Sequence, residues 1–153
     1  MGQGTGNRET RNPDATDADA KYGSSPFGFQ DLEAYRAARS LRNQIYELAK
    51  KLPPAEEYAL ARQMRRAAAS LTNNIAEGYG RFTWQDTTHF CRQSRGSLME
   101  LVDDIGICED QQYASAALLA DIEKDALRVL RLLNGYIRYL QESKLSGGGS
   151  TGS

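Results

Sequence analysis

The residues best equipped for chemistry lie between Arg62 and Glu100. One histidine, His89, stands three residues after Asp86 and two before Cys91. A di-metal centre in a helical bundle needs two Glu-x-x-His pairs and two further carboxylates, so this single Asp-x-x-His offers too few ligands. Its place near a helix start reads as a cap that complements the helix dipole. Nucleophilic catalysis lacks partners as well. On a helix Cys91 points to a different side from His89, and the chain has no G-x-S-x-G, no Walker sequence and no G-x-G-x-x-G after a strand. No enzyme, metal or cofactor is expected. What remains is cationic and aromatic. From Arg62 to Arg95, six arginines (Arg62, Arg65, Arg66, Arg81, Arg92 and Arg95) face two acids, Glu77 and Asp86, a local net charge of +4. Tyr79, Phe82 and Trp84 are interleaved with them. Arginines on phosphates and aromatic rings on unpaired bases are the materials of single-stranded nucleic-acid sites. The structural alternative packs the rings at the end of a bundle and pairs the arginines with Glu77, Glu100 or Asp103.

Four amphipathic helices must position these groups. Asp31 serves as N-cap of the first, which stops before Pro53-Pro54 and carries Leu32, Tyr35, Ala38, Leu41, Ile45, Leu48 and Leu52. The second runs from about Ala55 to Glu77 on Ala61, Met64, Ala68, Leu71 and Ile75, and Gly78 and Gly80 end it in the left-handed conformation. Thr83 caps the third, whose inward face is Cys91, Ser94, Leu98, Leu101, Ile105 and Cys108. The fourth begins near Ser115 with Leu119, Ile122, Ala126, Val129, Leu133, Tyr136 and Leu140. Spacings of three and four, no period-two alternation and short connections predict an all-α fold, an antiparallel up-down-up-down four-helix bundle over residues 31–145.

The polar side of the second helix is unusual. Arg62, Arg66, Ser70, Asn73 and Glu77 share about 80° of the helical wheel. Ser70, Thr72, Asn73 and Asn74 are mediocre helix formers, and Arg62 and Arg66 repel one another. An array that costs helix stability is either a binding surface or a polar subunit seam. Asn73 and Asn74 are candidates for caps or cross-links between helices under the structural alternative. The fourth helix is apolar over roughly 220°, from Leu132 to Leu127, more than three partner helices usually cover. With Gly96, Met99 and Ile107 on the outer side of the third helix, it predicts a homo-oligomer. The alternative cover is the N-terminal arm, through Phe27 and Phe29.

Charge is polarised although the chain carries only −1 overall: residues 100–125 hold eight acids against Lys124, net −7. A second basic line on the fourth helix (Lys124, Arg128, Arg131, Arg138) is interspersed with acids. Cys91 and Cys108, seventeen residues apart on one helix, lie ~25 Å from each other, beyond disulfide reach, and read as small core residues. Residues 1–30 show no apolar period and predict a disordered arm, and residues 146–153 a flexible Gly/Ser tail. No apolar run approaches the ~20 residues a membrane span needs, so a soluble, cytoplasmic protein with no membrane partner is expected.

Over about Asp31 to Lys144 the chain resembles the 23S rRNA intervening-sequence proteins, small four-helix bundles. The resemblance rests on Gln63-Met64-Arg65-Arg66-Ala67-Ala68, Ser70, Asn74-Ile75-Ala76-Glu77-Gly78 and Arg81, then Gly96-Ser97 and Glu100-Leu101. Thr72 stands where many members carry proline, which implies a less kinked second helix. The accessory variability determinants of diversity-generating retroelements look like relatives of that family. They imply a pentameric barrel, a nucleic-acid-binding surface and a reverse transcriptase as partner. Their surfaces are strongly basic, whereas Asp31 to Lys144 carries sixteen basic and sixteen acidic residues. The expected function is therefore a non-enzymatic, oligomeric accessory protein that binds RNA, single-stranded nucleic acid or a nucleoprotein complex through the basic face of the second and third helices. The alternative is a protein-interaction scaffold without nucleic-acid affinity.

Overall fold

The computed structural model describes residues 27–147. Most of the expected arm and residues 148–153 of the expected tail lie outside the described residues. The all-α expectation holds. Four long helices, α1 (Glu33–Lys51), α2 (Leu60–Tyr79), α3 (Trp84–Asp110) and α4 (Ala116–Gly147), account for the fold, with no strand among the described residues. Each helix packs on its neighbours in sequence, and α1 also packs on α4, so the four close into a ring. Gln63 pairs with Asp104 and Ser70 with Ser97, so α2 and α3 run in opposite directions.

Several boundaries differ from those expected. Asp31 is not the cap of α1. Phe29–Asp31 form a 3-10 turn and Leu32 precedes the helix with no side-chain cap, while Asp31 forms a 3.6 Å ion pair with Arg36. α2 starts five residues later than Ala55, because Pro54–Glu56 form a second 3-10 turn and Glu56 folds over to accept the Leu60 N–H at 3.1 Å. The glycines at its end act differently too. Gly80 keeps φ −78°, in the right-handed region, and Gly78 lies inside the helix. A Cβ on Gly78 would meet Phe90 Cβ at 2.9 Å and the Thr87 carbonyl oxygen at 3.2 Å, so this glycine lets α2 and α3 approach closely. The expected cap at Thr83 is present, and Ser115 caps α4 in the same way: their hydroxyls accept the N–H groups of Asp86 (3.1 Å) and Leu118 (3.2 Å). α4 continues to Gly147, two residues into the expected tail.

The core follows the expected stripes, except that Leu32, Tyr35 and Tyr136 are only partly buried. Leu41, Ile45, Leu48, Met64, Leu71, Ile75, Leu98, Leu101, Ile105, Ile122, Leu133 and Leu140 are fully buried. Cys91 and Cys108 are buried, free thiols, and burial pushes each up to about 11, away from the reactive thiolate. The wide apolar arc of α4 is mostly covered within the bundle: Ile137 is buried and Leu118, Leu130 and Leu132 are partly so, leaving Leu127 exposed. Met99 and Ile107 are exposed on α3. The aromatic residues before α1 do not cover them. Phe29 packs edge-on against Tyr35 at 5.0 Å, and Gly28, at φ +79°, lies against the Tyr79 ring of α2. Between α1 and α4 a groove of about 360 Å³ remains, lined by Ser40, Asn43, Gln44, Leu48, Leu118 and Ile122 among others, and bridged nearby by a 2.8 Å hydrogen bond from Gln44 to Asp125.

Candidate nucleic-acid interface

The polar array of α2 divides into bonded and open members. Thr72 is buried and occupied on both sides: its hydroxyl accepts from Arg42 Nη1 at 3.1 Å and donates to the Ala69 carbonyl at 3.2 Å. Asn74 donates back to the Ser70 carbonyl and hydroxyl at 2.9 and 3.0 Å. The Ser70 hydroxyl lies 2.9 Å from that of Ser97, tying α2 to α3. Beside this seam the buried Ser94 hydroxyl donates to the Leu71 carbonyl. Three of the four mediocre helix formers are thus cross-links within the chain, and only Asn73 faces solvent.

The six arginines divide in the same way. Arg65 is turned to the α1–α2 connection, where Glu57 holds it at 3.1 Å. Arg81 pairs with Glu77 at 2.6 Å and lies over the Phe90 ring, 4.7 Å from its centroid. Arg95 crosses to α4 and donates to Asn134 Oδ1 at 2.9 Å. Glu100 and Asp103, the other acids expected to pair, hold none of them. Arg62, Arg66 and Arg92 are exposed and form no ion pair or hydrogen bond among the described residues. Arg62 and Arg66 belong to α2, whereas Arg92 lies on the α4 side of α3, so the arginines do not converge on one patch. On α4, Arg128 reaches Glu33 at 3.6 Å, part of the expected mixing of signs.

The aromatic residues do collect at one end of the bundle. Phe82 is fully exposed, and Tyr79 and Trp84 keep 43% and 46% of their surface in contact with solvent. Trp84, Thr88 and Arg92 recur every fourth residue and line one side of a cleft of about 180 Å³, whose other side is Leu140 and Gln141 of α4. His89 is not among the residues that line this cleft: its Nε2 lies 3.1 Å from the Gln93 amide nitrogen, one turn along the same helix. Among the described residues no three His, Cys, Asp or Glu side chains gather as a metal-binding group.

One polar residue escaped the sequence reading. Asp104 is 1% exposed, with Oδ1 accepting from Gln63 Nε2 at 2.7 Å and Oδ2 without a hydrogen-bond partner. Burial pushes its carboxyl up to about 6, against the Gln63 hydrogen bond, and the charges of Asp103 and Glu100 add to the rise while Arg66 opposes it. Its position was readable. At 100° per residue Asp104 falls roughly 40° from Cys108 and 60° from Leu101, inside the buried stripe.

The family model of the 23S rRNA-intervening sequence proteins matches residues 30–135, which takes in α1, α2, α3 and the first part of α4. No curated protein matches the chain.

Proposed function

The chain belongs to the 23S rRNA-intervening sequence protein family, and from that membership we propose that it is a non-enzymatic accessory protein that binds RNA or a nucleoprotein complex. Its basic contacts are Arg62 and Arg66 on α2 and Arg92 on α3. The observation that carries the reading is that these three cations are exposed and form no ion pair or hydrogen bond among the described residues, while Arg65, Arg81 and Arg95 are already engaged. A cation held by its own chain has little to gain from a phosphate. A solvated one releases counterions when it meets one. The setting proposed is cytoplasmic. By resemblance to the retroelement accessory determinants, the assembly is a homo-oligomer, a pentamer, that serves a reverse transcriptase. Repetition of three arginines around such a ring gives weak sites avidity.

A second reading has its own observation. Met99, Ile107 and Leu127 are exposed on α3 and α4 and suit a protein partner as well as a second copy. The two readings separate in a salt titration. Labelled structured RNA and single-stranded DNA should bind the natural chain with affinity that falls steeply as salt rises. Arg62→Ala/Arg66→Ala should weaken binding and flatten the salt slope, with particle size unchanged by light scattering. Absent or salt-insensitive binding assigns the chain to protein partners. A variant that changes size instead makes the α2 arginines a subunit seam.

A further inference from the structure

The cleft between the start of α3 and the last turns of α4 has a composition that neither a buried seam nor a solvated surface explains. Trp84 presents a half-exposed indole at its mouth, and Leu140, itself buried, supplies an apolar floor. Gln85 and Gln141 bring two amides, each able to donate and to accept. Arg92 is the one charged residue among the six that line it, so no acid within the cleft neutralises the guanidinium. One turn further along α3, Arg95 is already tied to Asn134. Helical side chains lean toward the N-terminus of their own helix, and this tilts Arg92 toward Thr88 and Trp84.

Resting on the nucleic-acid reading above, we infer that this cleft receives one unpaired nucleotide of a single strand, its base stacked on the Trp84 indole and its phosphate held by Arg92. A ligand that matches the cleft must combine a flat apolar ring, hydrogen-bonding edges and an anion within one small unit. A nucleotide has all three. A run of Asp and Glu side chains lacks the ring, and a free phosphate would leave the indole and the Leu140 floor unused. Stacking on an aromatic side chain tolerates any base, so the cleft selects for unpaired geometry over sequence. A paired base has its faces covered and cannot enter. The shared chemistry is that of RNA and single-stranded DNA alike.

Trp84 is the single tryptophan of the chain, so fluorescence excited selectively at tryptophan reports on this cleft alone. The probes are eight-nucleotide adenine oligomers, ribo and deoxyribo, each also presented as a duplex, with anisotropy of an end label as an independent measure of binding. Both single strands should quench Trp84 and both duplexes should not. A response to the ribo-oligomer alone supports the cleft and assigns its source as RNA. Trp84→Ala and Arg92→Ala should each weaken single-strand binding about tenfold or more by anisotropy. Both positions are exposed, and far-UV circular dichroism verifies that the variants stay folded. Binding by anisotropy with no quenching and unchanged affinity in the two variants overturns the cleft while leaving the Arg62 and Arg66 surface standing. Equal quenching by duplex overturns the unpaired requirement. Absence of binding in both readouts overturns the cleft, and the structured-RNA salt titration above decides the nucleic-acid reading separately.

Discussion

Asp104 shows how a single buried carboxyl sets a pH dependence for the whole chain. Its folded-state value of about 6 stands above the ordinary 3.8, because burial disfavours the charged form. The folded protein therefore holds a proton over the interval from about 4 to 6 that the unfolded chain has lost. Stability falls as pH rises through that window and stays lowered above it, by on the order of 2–3 kcal/mol. Asp104→Asn keeps an acceptor for Gln63 and removes the charge. Urea unfolding at pH 4.5, 5.5 and 7 should show a steeper loss of stability for the natural chain than for the variant. Equal slopes would place the titration elsewhere. The hydrophobic stripes were legible at this scale, because burial follows the 3.6-residue period. The engagement of individual arginines was not. Which acid meets Arg65 depends on a 3-10 turn that brings Glu57 within reach, and no spacing rule encodes that.

At the scale of elements, helix number and the Thr83 cap followed from pattern, since a hydroxyl before an apolar period has one local use. The ends of α1 and α2 did not follow. Asp31 is a good cap residue and Ala55 a good helix former, and the 3-10 turns that contain them capture both first. Gly78 is the more instructive case, because sequence presents a glycine at a helix end as a left-handed stop while packing uses its missing side chain. Gly78→Ala raises helix propensity by about 1 kcal/mol. It also drives a methyl into Phe90 and the α3 backbone. The net expectation is destabilisation of about 1–3 kcal/mol, read as a lower thermal midpoint. A stabilised variant would show that the two helices separate freely at this crossing.

The molecule as a whole joins helices that are neighbours in sequence and then closes α1 onto α4. That last seam keeps a groove of about 360 Å³, and its Gln44–Asp125 bond spans 81 residues. The α2–α3 seam is short in sequence, tightly approached at Gly78 and tied by Ser70–Ser97 and Gln63–Asp104. The two seams thus differ in when they can form. Closing a long loop costs chain entropy before its contacts return anything, so the α2–α3 hairpin should be present at the folding barrier and the α1–α4 contact should arrive after it. Leu71→Ala, on α2, should then slow refolding, whereas Leu48→Ala, on the groove, should leave the refolding rate nearly unchanged and speed unfolding. Stopped-flow chevrons of the two variants read the difference directly, and equal effects on refolding would mean that the ring closes in one step. On that order of assembly, the α1–α4 groove is where the native chain is expected to open first, ahead of global unfolding.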